Sequence, residues 1–136
     1  MSLMRIVRWI VLALAVVGCV DSRIQNATVA NRTVPAGTTQ RLTYYSYLNP
    51  DCSVGGLADV RALSSPSHGT FIIAQGEGFS NYPSTNQRYD CNKQRTRMIE
   101  VNYTPKAGYR GPDELVVHAI YPGGTTVTNR FVITVD

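Results

Sequence analysis

Charge is what this chain has least of: 16% of its 136 residues are Asp, Glu, Lys or Arg, against about a quarter in an ordinary soluble domain. A helical bundle wants more Ala, Leu, Glu and Lys than this, and beyond residue 20 no segment keeps a helical apolar period. Histidine is limited to His68 and His118, and no acidic cluster exists to complete an oxygen shell for calcium. No Gly-rich phosphate loop opens a helix, and no G-x-S-x-G elbow presents a nucleophile. The carboxylate pairs Asp90 with Glu77 and Asp113 with Glu114 lack the acidic and aromatic surroundings of a glycosidase site. These absences argue for a non-enzymatic chain with no cofactor and no metal. A hydrolase built on His68 or His118 is the weaker alternative.

The chain begins with a stretch unlike the rest. M-S-L-M-R-I-V-R-W carries Arg5 and Arg8, and an uncharged apolar run follows until Asp21. That run of about 12 residues is too short for a spanning helix, which needs about 20. A basic head, a short apolar body and small residues at the end are the pattern of an export signal. The expected organisation is therefore a signal peptide over 1–18, a short linker over 19–26 and one domain over 27–136. The segment ends V-V-G-C at Val16, Val17, Gly18 and Cys19 and resembles the lipobox of bacterial lipoproteins. The resemblance implies a lipidated Cys19 and a periplasmic or outer-membrane-anchored protein of a Gram-negative bacterium. Its membrane contact would run only through that lipid. Ordinary signal-peptidase cleavage nearby is the alternative, and it leaves Cys19 incidental.

Removing residues 1–18 takes Arg5 and Arg8 from the 13 basic residues and leaves 11 against 9 acidic ones, a balance of +2. So small an excess makes no case for a nucleic-acid partner. Cysteine is present three times, and an odd thiol in an exported chain needs a reason. With Cys19 assigned to lipid, Cys52 and Cys91 remain to pair as a disulfide. Metal binding is the alternative use, but the two histidines are the only extra nitrogen ligands available.

Past residue 26 the pattern is strand and turn. Strands are expected at 27–34, 40–47, 58–63, 70–75, 98–104, 114–121 and 125–135, with Pro- and Gly-bearing turns between them. The run at 114–121 is apolar on both faces and reads as a central strand. In the last strand Val127, Phe131, Ile133 and Val135 share a face with one misfit, Asn129. Residues 76–96 show no apolar period and read as one long loop. About seven strands with regular turns describe an all-β, antiparallel sandwich, with a small barrel as the rival.

Two stretches carry a family likeness. P-S-H-G-T-F at 66–71 resembles the P-x-H-G-T turn of bacterial Ig-like and cadherin-like repeats. Y-T-P-K-A-G-Y-R-G-P-D-E-L at 103–115 resembles their Y-x-P-x-x-G-Y-x-G-x-D signature. The resemblance spans Pro66 to Asp136 and implies an Ig-like β-sandwich of an extracellular or periplasmic protein. In that corner Asp113 is expected to cap backbone amides. Such repeats come in tandem in long adhesins, whereas one domain stands here. The cysteine pair and the 76–96 segment also fall outside the shared pattern.

The remaining signal is N-Q-R-Y-D-C-N-K-Q-R-T-R at 86–97, where Arg88, Lys93, Arg95 and Arg97 surround Cys91 and Tyr89. Guanidinium groups pair bidentately with carboxylate and phosphate. The disulfide-anchored basic loop over 76–97 therefore reads as a contact surface of an envelope-binding or structural module, with Tyr82 and Tyr89 as flat faces. Its partner would be an anionic envelope polymer or another envelope protein. A subunit of a larger surface assembly is the alternative, and a solvated loop is the plainer one. The N-x-T triplets at Asn26, Asn31 and Asn102 read as chance in a bacterial chain.

Overall fold

The computed structural model describes residues 18–136. The expected signal segment lies, but for its last residue, outside the described residues. A single helical turn, α1 (Ser22–Gln25), is capped by the Asp21 side chain, which accepts from the Arg23 amide. Seven strands follow: β1 (Thr28–Val34), β2 (Gln40–Tyr45), β3 (Asp59–Ser64), β4 (Gly69–Phe79), β5 (Arg95–Pro105), β6 (Gly111–Ile120) and β7 (Thr126–Val135). They form a four-stranded sheet in the order β1-β7-β6-β3 and a three-stranded sheet in the order β2-β5-β4. A short 3₁₀ helix, Tyr89–Lys93, sits between β4 and β5.

Alternation along the strands builds the core. Leu115, Val117 and Ala119 of β6 and Phe131, Ile133 and Val135 of β7 meet Leu42, Tyr45, Val101 and Tyr103 of the other sheet. Strand β6 lies between β7 and β3, and its outward Val116 and His118 are buried as well as its inward residues, in keeping with its apolar pattern on both faces. Asn129 has a partner: the Tyr45 hydroxyl donates to its Oδ1 at 2.7 Å. The misfit in the apolar face of β7 is thus a polar tie to β2.

Two expectations need correction. The sandwich is not wholly antiparallel, because β1 pairs parallel with β7, Thr28 opposite Asn129 and Val34 opposite Val135. The chain leaves β1 at one end, turns through Ala36 and Gly37 and enters the other sheet as β2. The domain between β1 and β7 then serves as the long crossover a parallel pair requires. The ends are tied where the Ala36 amide donates to Asp136 O at 2.7 Å.

The second correction concerns 76–96, which is not one loop. Strand β4 runs on to Phe79 and β5 starts at Arg95, with Gly76 opposite Met98, Glu77 opposite Arg97 and Phe79 opposite Arg95. The irregular part shrinks to 80–94. No apolar period marks this extension because its side chains on one face are replaced by hydrogen. A Cβ on Gly76 would meet Glu100 Cδ at 2.5 Å, and one on Gly78 would meet Met98 at 3.2 Å.

Candidate functional site

The two ends of the sandwich are built differently. At one, Asp113 opens the inward face of β6 and accepts four hydrogen bonds. Its Oδ1 takes the amides of Ser67 and Glu114, both at 2.9 Å, and its Oδ2 takes the His68 amide at 3.0 Å and the Tyr103 hydroxyl at 2.7 Å. Burial works against the carboxylate, but these four donors outweigh it and hold Asp113 below the usual carboxylate range. The His68 ring stacks on Tyr109 with centroids 4.2 Å apart and planes 5° apart. Ser67, His68 and Asp113 are neighbours here, yet both carboxylate oxygens are already doubly occupied by other groups. The carboxylate thereby ties the Ser67–His68 turn to Tyr103 of β5 and to β6. His118 lies apart from it on β6, its Nδ1 2.8 Å from Thr128 Oγ1.

At the other end the Cys52–Cys91 disulfide, with Cα atoms 5.2 Å apart, joins the 46–57 loop to the 3₁₀ helix. Cys52 has a left-handed backbone, φ 68°, at the close of a turn in which its amide donates to Asn49 O. Several bonds reinforce the staple. Asn92 brackets Tyr82, its Oδ1 accepting from the Tyr82 amide and its Nδ2 donating to Tyr82 O, each at 2.8 Å. Arg88 Nε donates to Leu48 O at 2.6 Å, and the Leu48 amide donates to the Tyr82 hydroxyl at 3.4 Å. Leu48, Cys91 and Met98 are buried yet lie outside the main core cluster.

This stapled end carries a groove. A hollow of about 270 Å³ is lined by Tyr47, Tyr82, Tyr121 and Arg88, with Ser46 and Thr125 at its edge. A second hollow of about 370 Å³ shares Ser46, Tyr82 and Tyr121 and adds Thr43, Tyr44 and Asn81. The rings support one another: Tyr47 and Tyr121 have centroids 6.1 Å apart, and Tyr45 meets Tyr121 edge-on at 6.2 Å. Tyr47 sits against bare backbone, since a Cβ on Gly55 would lie 2.8 Å from its ring and one on Gly123 2.9 Å from its hydroxyl. Burial, with Tyr82 and Tyr44 nearby, pushes the Tyr121 hydroxyl up, so it remains a donor at neutral pH.

The structure disperses the basic residues of 86–97. Arg88 turns into the groove, half-buried, and among the described residues it makes no ion pair. Lys93 is exposed and pairs with Asp90 at 2.7 Å. Arg95 and Arg97 stand exposed on β5, and Glu77 lies opposite Arg97 and 3.9 Å from Arg95. Tyr89 is exposed, and Cys19 is a free, exposed thiol. The groove's other residues, Tyr44, Tyr47, Tyr121 and Ser46, are absent from the sequence-level candidates. The signal that pointed to them is the tyrosine excess, eight Tyr against three Phe and one Trp, with four of the eight lining these two hollows. Among the described residues no cluster of metal-ligating side chains occurs.

These features define a small, disulfide-stapled β-sandwich with an aromatic groove at one end. Comparison with protein-family models, with curated proteins and with solved structures finds no match for the chain.

Proposed function

We propose that this chain is a non-enzymatic binding module of the cell envelope that makes contact through its disulfide-stapled end. The observation that carries this reading is Arg88: a half-buried arginine, fixed by Leu48 O, beside three tyrosines and, among the described residues, without a carboxylate partner. With no carboxylate paired to it among the described residues, this partly buried arginine at an open groove is suited to an anionic partner. The sandwich is of the immunoglobulin-like type on this reading. Support comes from β2-β5-β4 facing β3-β6-β7, the B-E-D and C-F-G arrangement of that fold, with β1 laid on β7. The opening signal and the G-C pair support export and lipidation of Cys19, and the mass of the mature N-terminus tests that.

The function is tested by retention of the purified chain on envelope fractions. Arg88→Ala should abolish retention, while Lys93→Ala, Arg95→Ala and Arg97→Ala should each leave most of it. Equal retention by all four variants and the parent sinks the reading.

A subunit role in a larger envelope assembly is favoured by one feature, β4. It is an edge strand of eleven residues whose register with β5 is unbroken, whereas the edge strands β2 and β3 carry register shifts. Ile72 and Phe79 are 63% and 54% exposed along it. Long, regular edges with exposed apolar side chains invite strand addition. Crosslinking of the native envelope should then capture Ile72-dependent species, and Ile72→Lys should remove them. A chain that elutes only as monomer and yields no crosslink ends this second reading.

A further inference from the structure

The envelope-binding reading leaves the ligand unnamed; building on it, we infer that the groove takes an acidic saccharide, a sugar chain bearing carboxylates. The acid group meets Arg88, whose Nε is committed to Leu48 O at 2.6 Å while its two terminal nitrogens remain for a forked contact. Tyr47, Tyr82 and Tyr121 surround that position. Their electron-rich faces attract the polarised C–H groups on the flat side of a sugar ring.

The rest of the lining fits sugar hydroxyls better than other ligands. Ser46, Thr43, Thr125 and Asn81 supply short donors and acceptors around the rim. Tyr121 keeps its proton and adds a donor. Among the described residues Leu48 is the one aliphatic residue at the wall and is fully buried, so the apolar surface that the hollow offers is that of tyrosine rings. Among the described residues Arg88 is the one cation lining either hollow, too few for a nucleic-acid backbone, where affinity grows with each neutralised phosphate. The second hollow continues past Tyr82 and Tyr121, which provides for more than one sugar unit.

The groove is also set in advance of binding. The disulfide and the Asn92 bracket hold Arg88 and Tyr82, and the bare backbone at Gly55 and Gly123 confines Tyr47. Side chains already ordered lose less freedom on binding.

The test is calorimetric titration of the full chain with trigalacturonate and a hyaluronan tetrasaccharide, against neutral maltotriose, inorganic phosphate and an acidic phosphopeptide. At least one acidic saccharide should bind, with maltotriose and phosphate about tenfold weaker or more. Amide shifts on binding should fall at Ser46, Asn81 and Thr125. Arg88→Lys should weaken binding about tenfold because the fork is lost while the charge stays. Tyr47→Ala should weaken it comparably with Arg88 untouched, and a denaturation curve on each variant verifies folding. Failure of both acidic saccharides overturns the inference, as does equal binding of maltotriose or phosphate, tighter binding of the phosphopeptide, or shifts confined to β4 and β5. Retention on envelope fractions that depends on Arg88 while the saccharides fail rejects the ligand class and leaves the envelope-binding reading standing. Saccharide binding without envelope retention rejects the latter.

Discussion

Arg88 donates its Nε hydrogen to the carbonyl of Leu48, 2.6 Å away and 40 residues earlier in the chain. That bond makes the arginine part of the fold as well as part of the groove. Leu48 is fully buried, so its carbonyl has no water to turn to. Arg88→Met should therefore cost about 1–3 kcal/mol, the range for stranding a buried polar group, with the main sandwich still folding. Urea denaturation checks this, and an unchanged midpoint would show that the bond contributes nothing.

The disulfide closes a loop of 39 positions. Constraining the unfolded chain to that degree is worth about 4 kcal/mol in the chain-entropy model. Paired Cys52→Ser and Cys91→Ser substitutions should lower stability toward that amount. The core cluster contains neither cysteine, so strand content by circular dichroism should persist while the tyrosine groove loosens. Hydrogen exchange at 46–57 and 80–94 should rise well above exchange in β6 and β7.

Asp113 sets a pH dependence with a definite sign. Its folded carboxyl lies below the usual range, so it holds fewer protons folded than unfolded near that range. Its stabilisation is complete above the unfolded value near 3.8 and is lost as pH falls through the lower folded value. Asp21 and Asp51 are also lowered, and they act alike in the parent and in Asp113→Asn. The variant should be less stable by about 3 kcal/mol at neutral pH, since a charged acceptor with four donors is replaced by an amide. That gap should narrow toward pH 3, read from urea midpoints at the two pH values. A gap independent of pH would refute the ionic character of this corner.

Tyr45 and Asn129 bridge the two sheets at 2.7 Å. Tyr45→Phe alone leaves the Asn129 oxygen short of a donor and should cost about 1–2 kcal/mol. Combining it with Asn129→Leu should cost less than the two single changes summed, because both unmet polar groups are removed together. A double-mutant cycle measures the coupling, and strict additivity would mean the contact carries no energy.

Gly69 and Gly108 separate space from backbone conformation. A Cβ on Gly69 would stand 2.5 Å from the Tyr103 ring and 2.6 Å from Thr104 O, neither free to move. Gly108 has open space but φ of 74°. Gly69→Ala should cost about 1–3 kcal/mol or more through overpacking, and Gly108→Ala about 1 kcal/mol through left-handed strain. Thermal midpoints of the two variants rank them.

The strand positions and the central place of β6 were legible in the sequence because alternation and turn chemistry are local signals. The cysteine pair was legible from parity, and the Asp113 cap from a short motif. The extension of β4 and β5 through 76–79 and 95–97 was not, because glycine leaves no apolar period to read. Nor was the parallel seating of β1 on β7, which depends on how two sheets close around one core.

The same division runs through the candidate site. Residue types alone determined that this chain is β-rich, carries an export-like opening and gathers four cations beside Cys91. Only the tertiary structure decided that those cations part company. Lys93 is matched by Asp90, Arg95 and Arg97 lie along a ladder with Glu77, and Arg88 alone turns inward. Spacing in the sequence brings charges within reach of one another. Which of them keeps an open valence depends on the carbonyls and rings that other connections deliver, and these arrive from Leu48, Tyr47 and Tyr121, far along the chain.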